Sequence, residues 1–242
     1  MSAPTTRGTL LGGRVSYEQP AHGYRTGIEP VFLAAAVPAQ PGERVLEAGT
    51  GAGAALLCLA ARVAGVAAVG VEREEATAAV ACRNAAPFAG LSVITGAVER
   101  IGDLGLFEHA CANPPWHDPA GTVPGHAARR HALHAPAGTL PAWCRALVGR
   151  TRSGGTATLV LAARLAEEGA ASLRAAGAGG VMKRFLLPKE GRAPKIVLLQ
   201  GIAGSDAPGR SLPGLVLHRP DGSYTAEADA VLRDGAALSW DG

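Results

Sequence analysis

The sequence predicts an α/β fold in which one sheet is covered by helices on both faces. From residue 43 onward, short apolar runs alternate with stretches of helical length, which is the pattern of strands connected by helices. A glycine-rich turn joins the first of these runs to the helix that follows it. Apolar residues make up 48% of the 242 residues, which is enough to bury a sizeable core.

Residues 1–42 precede this alternation and form a predicted N-terminal extension, whereas residues 43–242 form the main domain. Within the extension, GGRVSYEQPAHGYRTG (12–27) predicts a short hairpin or a covering segment. IEPVFLAAAV (28–37) predicts a short helix, which prolines at positions 38 and 41 bring to an end.

The main domain contains seven predicted strands. In chain order they are ERVLEAG (43–49), VAAVGVE (66–72), LSVITG (91–96), FEHACAN (107–113), GTATLVLAA (155–163), VMKRFLLP (181–188) and KIVLLQG (195–201). The predicted helices between them are GAALLCLAARVAG (53–65), REEATAAVACRNAA (73–86), TLPAWCRALVGR (139–150) and RLAEEGAASLRAAG (164–177). The C-terminal stretch 214–235 predicts a strand, a Pro-Asp-Gly turn and a short helix capped by Thr225.

The turn VLEAGTGAGAA carries Glu47, Gly49, Gly51 and Gly53 from a strand into a helix. Glycines let the backbone turn tightly and approach a ligand, and the helix start offers free N–H groups. The spacing is GxGxG, whereas dinucleotide folds use GxGxxG. Because Glu47 would repel a pyrophosphate but suit a cationic amine, we expect a ligand such as S-adenosylmethionine.

The second strand ends in GVE, which places Glu72 about 20 residues past the glycines. An acidic residue at this distance can accept hydrogen bonds from both ribose hydroxyls of a nucleoside. The glycine turn and Glu72 together therefore favour a nucleoside ligand that carries an amine.

The stretch CANPPWHDP follows the fourth strand, and its two prolines cannot extend a helix or a sheet. An exocyclic amine such as adenine N6 is a poor nucleophile, because its lone pair is delocalised into the ring. The amide oxygen of Asn113 and the carbonyl of Pro114 could accept its two hydrogens, with Pro115 helping to fix the backbone. Trp116 could stack on a flipped base, which is worth about 1–3 kcal/mol. These four residues are the predicted catalytic group.

With these motifs the sequence resembles the class I S-adenosylmethionine-dependent methyltransferases, which have a Rossmann-like seven-stranded sheet. The NPPW at 113–116 stands where the amino-group methyltransferases carry a (D/N/S)PP(Y/F/W) motif. Within that class the chain is most similar to the bacterial tRNA adenine-N6 methyltransferases that act on an anticodon-loop adenine of valine tRNA. The segments that carry this similarity are HGYRTGIEPVFLAAAV (22–37), GRAPKIVLLQG (191–201) and LPGLVLHRPDGSYTAEADAVLRDG (212–235).

The resemblance implies S-adenosylmethionine as the cofactor. The acid and the first two glycines of the turn would line its methionine part, and the acid of GVE would hold its ribose. Residues 25–27 of the extension would close over it. The cofactor-binding residues so implied are Arg25, Thr26, Gly27, Glu47, Gly49, Gly51, Glu72, Ala97, Val98 and Asn113.

One position departs from the family. An Asp often follows the glycine of the third strand and holds the adenine amine of the cofactor, but TGAVER gives Ala97. Backbone groups of Ala97 and Val98 would substitute for it, or Glu99 would reach the adenine.

The predicted function is methyl transfer to an exocyclic amine, with adenine N6 in tRNA as the favoured acceptor. Asn at the first motif position also suits a protein glutamine-N5 methyltransferase of the release-factor type. Those enzymes usually carry an extra helical N-terminal domain, whereas only about 42 residues precede the glycine turn here. An rRNA amino-group methyltransferase, acting on adenine N6 or guanine N2, is a further alternative. A methyltransferase-like binding module without activity also stays open, and the GxGxG spacing disfavours an NAD oxidoreductase.

Charge and composition bear on partners and location. A net charge of +3 permits an RNA partner without requiring one, and Arg129 and Arg130 could meet phosphates. A second basic group surrounds the sixth and seventh strands: Lys183, Arg184, Lys189, Arg192 and Lys195. Separated cysteines and the lack of a leader or a long apolar run predict a cytoplasmic protein without a membrane span. No metal is expected, because the four histidines between residues 117 and 134 fit no familiar ligand spacing.

Overall fold

The computed structural model describes residues 4–22, 25–98, 104–115 and 139–241. The strands in these ranges are β1 (Thr5–Leu10), β2 (Val15–Pro20), β3 (Arg44–Ala48), β4 (Ala67–Glu72), β5 (Leu91–Thr95), β6 (Phe107–Ala112), β7 (Thr151–Ala162), β8 (Ala178–Lys189), β9 (Ile196–Ala203), β10 (Arg210–Ser211) and β11 (Leu215–His218). The α-helices are α1 (Glu29–Ala36), α2 (Ala54–Arg62), α3 (Glu75–Ala85), α4 (Thr139–Arg150), α5 (Ala166–Ala175) and α6 (Ala226–Asp229). None of these helices is long and apolar enough to cross a membrane.

Within the described ranges the main sheet has nine strands, in the order β10-β8-β9-β7-β6-β3-β4-β5, with β11 also pairing along β8. The five strands from β3 to β7 are parallel to one another. Strand β9 is antiparallel to both β7 and β8. The seven predicted strands are all present in this sheet. The short strands β10 and β11 extend it along the outer edge of β8.

The chain changes direction across the sheet between β3 and β6. From β3 it proceeds to β4 and β5 on one side, and from β6 to β7 on the other. Ligands of open α/β sheets bind in the crevice at the carboxyl ends of the strands where the order reverses. The topology therefore locates the candidate site between the ends of β3 and β6.

Two hydrophobic clusters cover the faces of the sheet. Val45 of β3 belongs to the cluster that α1 and α2 contribute to, whereas the next residue, Leu46, belongs to the cluster that α4 and α5 contribute to. This alternation follows from strand geometry, in which successive side chains point to opposite faces. The predicted arrangement of helices on both faces is confirmed.

The N-terminal extension contains the predicted hairpin and helix. β1 pairs antiparallel with β2, and the hairpin begins at Thr5, before the segment from which it was predicted. Val15 and Tyr17 of β2 share a hydrophobic cluster with α1 and α2. The predicted boundary at residue 42 stays a prediction, although the extension packs into the core of the main domain.

Helix α1 is buried along its length, so the free carbonyls at its end need internal partners. They accept hydrogen bonds from the Arg62 guanidinium, the Gln200 side-chain amide, the Trp240 indole and the backbone N–H of Leu238. These contacts tie α1 to α2, to the sheet and to the C-terminal segment. Near that segment, the hydroxyl of Thr225 accepts from the N–H of Ala228, which confirms the predicted cap of α6.

Candidate functional site

The candidate site lies at the carboxyl ends of β3, β4 and β6. The register pairs Ala48 with the residue just before Glu72 on β4 and with the residue just before Asn113 on β6. Gly49, Glu72 and Asn113 therefore leave three adjacent strands at the same level, with about 5 Å between neighbouring strands. The two predicted motifs and the predicted acid are brought together here.

The glycine turn has the backbone conformation that glycine alone adopts easily. Gly49, Gly51 and Gly53 have φ angles of +66°, +58° and +90°, all in the left-handed region. The N–H of Thr50 donates to the carbonyl of Val71 at 3.0 Å, which anchors the turn to β4. A Cβ on Gly51 would meet nothing within 4 Å. The backbone of Gly51 is therefore open to a ligand.

Gly49 is required for a second reason, which is the proximity of Trp143 on α4. A Cβ on Gly49 would lie 2.5 Å from Cη2 of the Trp143 indole, closer than real Cβ contacts allow. The indole ring therefore packs directly against the glycine turn. This contact connects the helix that precedes β7 with the end of β3.

Glu72 supports the turn through both of its carboxylate oxygens. Oε2 accepts a hydrogen bond from the N–H of Gly51 at 3.0 Å, and Oε1 accepts one from the N–H of Glu74 at 2.9 Å. A carboxylate has about four acceptor positions. Glu72 thus retains acceptor capacity for a ligand while it holds the turn in place.

Glu47 is a buried acid beneath the turn, with 4% of its surface exposed. Its Oε2 accepts a hydrogen bond from the Thr50 hydroxyl at 2.7 Å. Burial raises the pKa of Glu47 to about 7; the Thr50 hydroxyl and the Leu56 backbone oppose the rise, and the nearby Glu72 adds to it. A cationic ligand group at this acid would favour its ionised form.

The segment predicted to close over the cofactor, residues 25–27, is held by the hairpin. The N–H of Thr26 donates to Oε1 of Gln19 at 3.1 Å, and its hydroxyl is 2.7 Å from the Tyr17 hydroxyl. The Arg25 guanidinium donates to the Thr6 hydroxyl at 2.7 Å. Gly27 lies against the Glu29 carboxylate, where a Cβ would collide. The hairpin thus determines where this segment lies.

Tyr17 is hydrogen-bonded to the closing segment and lies near enough to Glu47 to be affected by its charge. Burial raises its pKa to about 12; the Thr26 hydroxyl opposes the rise, and the negative charge of Glu47 adds to it. Tyr17 is therefore a neutral hydrogen-bonding partner at neutral pH.

Two of the predicted cofactor-binding residues, Ala97 and Val98, follow the end of β5. The N–H of Gly96 donates to the Glu72 carbonyl at 2.9 Å, and Ala97 follows, partly buried. The side chain of Val98 is buried in the cluster that contains α4 and α5. Only the backbone groups of Val98 can therefore contact a ligand at this site. Glu99 lies outside the described residues.

On the acceptor side, the structure describes three of the four predicted catalytic residues. Asn113 and Pro115 are partly buried and Pro114 is buried. Trp116 lies outside the described residues, as do the predicted phosphate contacts Arg129 and Arg130 and the four histidines. Within the described ranges, no group of three or more acidic, histidine and cysteine side chains is arranged to hold a metal ion.

Three members of the second basic group contact neighbouring elements of the fold. Lys183 pairs with Glu167 at 2.6 Å, Arg184 donates to the Ser239 carbonyl at 2.7 Å, and Lys189 donates to the Pro220 carbonyl at 3.1 Å. These three cations stabilise α5 and the C-terminal segment against β8.

Sequence reasoning missed three residues of the site. Thr50 carried a weak signal, because it stands three residues after Glu47 within the turn. Tyr17 and Trp143 carried none, since each reaches the site from an element distant in sequence.

No protein-family model matches this chain, and no curated protein matches it. Solved structures do. A predicted O-methyltransferase from Agrobacterium tumefaciens is 23% identical over 88% of this chain and 100% of its own, with a TM-score of 0.74. The 16S rRNA N2 G1207 methyltransferase of T. thermophilus, solved with AdoMet and guanosine, is 18% identical over 83% of this chain and 50% of its own, with a TM-score of 0.56. A precorrin-6y C5,15-methyltransferase from Geobacter metallireducens is 11% identical over 77% of this chain and 94% of its own, with a TM-score of 0.55. The chain has the Rossmann-like fold of these methyltransferases.

Proposed function

We propose that this chain transfers a methyl group from S-adenosylmethionine to an exocyclic amino group, and that its acceptor is adenine N6 in tRNA. One observation carries the proposal: Gly49, Glu72 and Asn113 leave adjacent strands at the same level of the sheet. Cofactor-side and acceptor-side chemistry can therefore meet in one crevice. The T. thermophilus neighbour, described as a 16S rRNA N2 G1207 methyltransferase and solved with AdoMet, supports an exocyclic amino group of RNA as the acceptor.

The residues present suit this cofactor. Glu72 has acceptor positions left for two ribose hydroxyls, and the open backbone at Gly51 lets the methionine part approach. Glu47 supplies a negative charge for the cationic amine. Arg25, Thr26 and Gly27 close over it from the hairpin. Backbone groups of Ala97 and Val98 would hold its adenine.

Bound S-adenosylmethionine would supply a methyl group on a sulfonium: the C–S bond would break as the C–N bond forms, sulfur would keep the electron pair, and the methylated amine would then give a proton to water. The chain's part in this step is to aim the amine. The Asn113 amide oxygen and the Pro114 carbonyl accept its two hydrogens, which frees the nitrogen lone pair. Their position on β6, beside Gly49 on β3, orients the nitrogen for in-line attack.

Trp116 and Pro115 complete the acceptor side of the proposal. Pro115 restricts the backbone so that the Pro114 carbonyl points into the crevice. Trp116 stacks on the flipped base. Guanine N2 in rRNA and glutamine N5 in protein present the same pair of amino hydrogens, so they are the competing acceptors.

Replacing Asn113 tests the proposal. We expect Asn113→Ala to lower methyl transfer to total tRNA by at least about 100-fold, because a preorganised polar contact to the reacting group is lost. Calorimetric titration with S-adenosylmethionine should show binding within about threefold of wild type, because the glycine turn and Glu72 are intact. Ser92→Ala, on the exposed side of β5, is the matched control. Near wild-type turnover in Asn113→Ala would show that Asn113 does not accept a hydrogen bond from the reacting amine.

A further inference from the structure

Asn84 of α3 joins the N-terminal hairpin to the glycine turn. Its Nδ2 donates to the carbonyl of Glu18 on β2 at 2.7 Å and to the carbonyl of Ala52 in the turn at 2.8 Å. Its Oδ1 accepts from the N–H of Glu18 at 3.0 Å. The side chain is 9% exposed, so these bonds replace contacts with water almost completely.

The contact to Glu18 has the pattern of strand pairing. One side chain satisfies both the N–H and the carbonyl of the same backbone residue, as a neighbouring strand would. An isolated two-stranded hairpin is only marginally stable in water. Among the described residues β2 pairs with no strand except β1, and Asn84 occupies its other edge. The Glu18 carboxylate adds an ion pair with Arg83 at 3.2 Å and a hydrogen bond with the Thr5 hydroxyl.

The same strand holds the closing segment, since Tyr17 and Gln19 are the partners of Thr26. A continuous series of contacts therefore runs from Ala52, through Asn84 and β2, to residues 25–27. Both ends of the series belong to the proposed cofactor site, although Asn84 itself was not predicted to be part of it.

We propose that Asn84 is a positioning residue for cofactor binding, which holds residues 25–27 closed over the glycine turn. The inference rests on the function proposed above. Apparent affinity is the intrinsic affinity multiplied by the fraction of molecules in the binding-competent arrangement. Loss of the Asn84 bonds lowers that fraction and weakens binding. Because its bonds lead to the hairpin and the turn and not to Asn113, turnover at saturating cofactor stays nearly unchanged.

The first test is Asn84→Asp, which keeps the acceptor for the Glu18 N–H but sets a carboxylate against two carbonyls. We expect the Kd for S-adenosylhomocysteine to rise about tenfold or more, because buried groups lose their donors. The KM for S-adenosylmethionine should rise in parallel, with kcat within threefold of wild type. Leu173→Ala, buried on the opposite face of the sheet, is the control for general destabilisation and should keep the Kd within twofold.

Asn84→Ala is the second variant, because it leaves room for water at the freed backbone groups and does not bury a charge. Hydrogen exchange of residues 15–22 in this variant should be faster than in wild type, and S-adenosylhomocysteine should bind about tenfold more weakly. Wild-type protein that fails to bind S-adenosylhomocysteine would overturn the proposed function and this inference together. Wild-type binding with unchanged affinity in both variants, or unchanged hairpin exchange, would overturn this inference alone.

Discussion

At the scale of single residues, Glu47 shows how a site acid costs stability. Its pKa rises from 4.5 to about 7, mainly through burial, which corresponds to about 3 kcal/mol. Because the folded state binds the proton more tightly than the unfolded state, stability falls as the pH rises from about 4.5 to about 7 and stays lower above that. A bound cation would offset this cost.

Glu47→Gln removes the ionisable group and tests this account. At pH 8 the variant should unfold with a higher free energy than wild type, by up to about 3 kcal/mol, whereas at pH 4.5 the two should be equal. Urea unfolding at both pH values measures the difference. The same substitution at the exposed Glu190 is the control for a general effect of replacing Glu by Gln. A difference that does not vary with pH would mean that Glu47 titrates like an exposed acid.

The spacing of residues in the sequence identified some site residues and could not identify others. Glu47, Gly51 and Glu72 each lie close to a turn that joins one strand to one helix. The local sequence is therefore enough to predict where they lie relative to those two elements. Trp143 contacts Gly49 only because α4 packs beneath the end of β3. In the sequence, Asn84 likewise has the pattern of an ordinary polar helix residue. Its role depends on contact with β2, which only the structure shows.

At the scale of elements, the turn between β3 and α2 depends on glycine for two separable reasons. Gly51 and the surface residue Gly42 both have positive φ angles, +58° and +85°, and a Cβ on either would meet nothing within 4 Å. The two glycines differ in their location: Gly51 faces the candidate cofactor site, whereas Gly42 lies in an exposed turn. Backbone strain and ligand contact can therefore be measured separately.

Gly51→Ala and Gly42→Ala form a matched pair. Each should lower the free energy of unfolding by about 1–2 kcal/mol, because a Cβ is disfavoured at positive φ. Only Gly51→Ala should weaken binding of S-adenosylmethionine, by about tenfold or more, since its methyl group enters the space that the ligand needs. Urea unfolding and calorimetric titration give the two values. Equal affinities in the two variants would place the cofactor elsewhere.

The sequence predicted which strands are present better than it predicted where each strand begins and ends. β7 begins at Thr151 and not at residue 155, because Thr151 pairs with Phe107 of β6 before a shift in register. β8 extends from Ala178 to Lys189, beyond its apolar run, since β9 pairs with it from Ala178 to Leu186 and β11 pairs with its last residues. β10 has two residues and no periodicity to detect. Pairing partners, which the local sequence does not contain, determine these ends.

At the scale of the whole molecule, strand order creates the site. The reversal between β3 and β6 places the glycine turn beside Asn113, although more than 60 residues separate them in the chain. Local patterns predict strands but not their order across a sheet. The resemblance to methyltransferases implied a Rossmann-like sheet, and the order of its strands comes from the structure.

The fold leaves the acceptor open. Its solved neighbours are described as acting on oxygen, on guanine N2 of rRNA and on carbons of a precorrin, so function depends on site residues more than on architecture. In the proposed function, the acceptor side is formed by Asn113, Pro114 and Pro115, whose groups suit an amino nitrogen.

The most direct test of the proposed function is labelled methyl transfer by the wild-type chain to total tRNA, followed by digestion and nucleoside analysis. We expect the label in N6-methyladenosine, because in the proposed function Asn113 and Pro114 would together accept both hydrogens of an exocyclic amine and Trp116 would stack on its base. Ribosomal RNA and a protein extract serve as parallel acceptors. Label in N2-methylguanosine or in methylglutamine, or none in tRNA, would contradict the account.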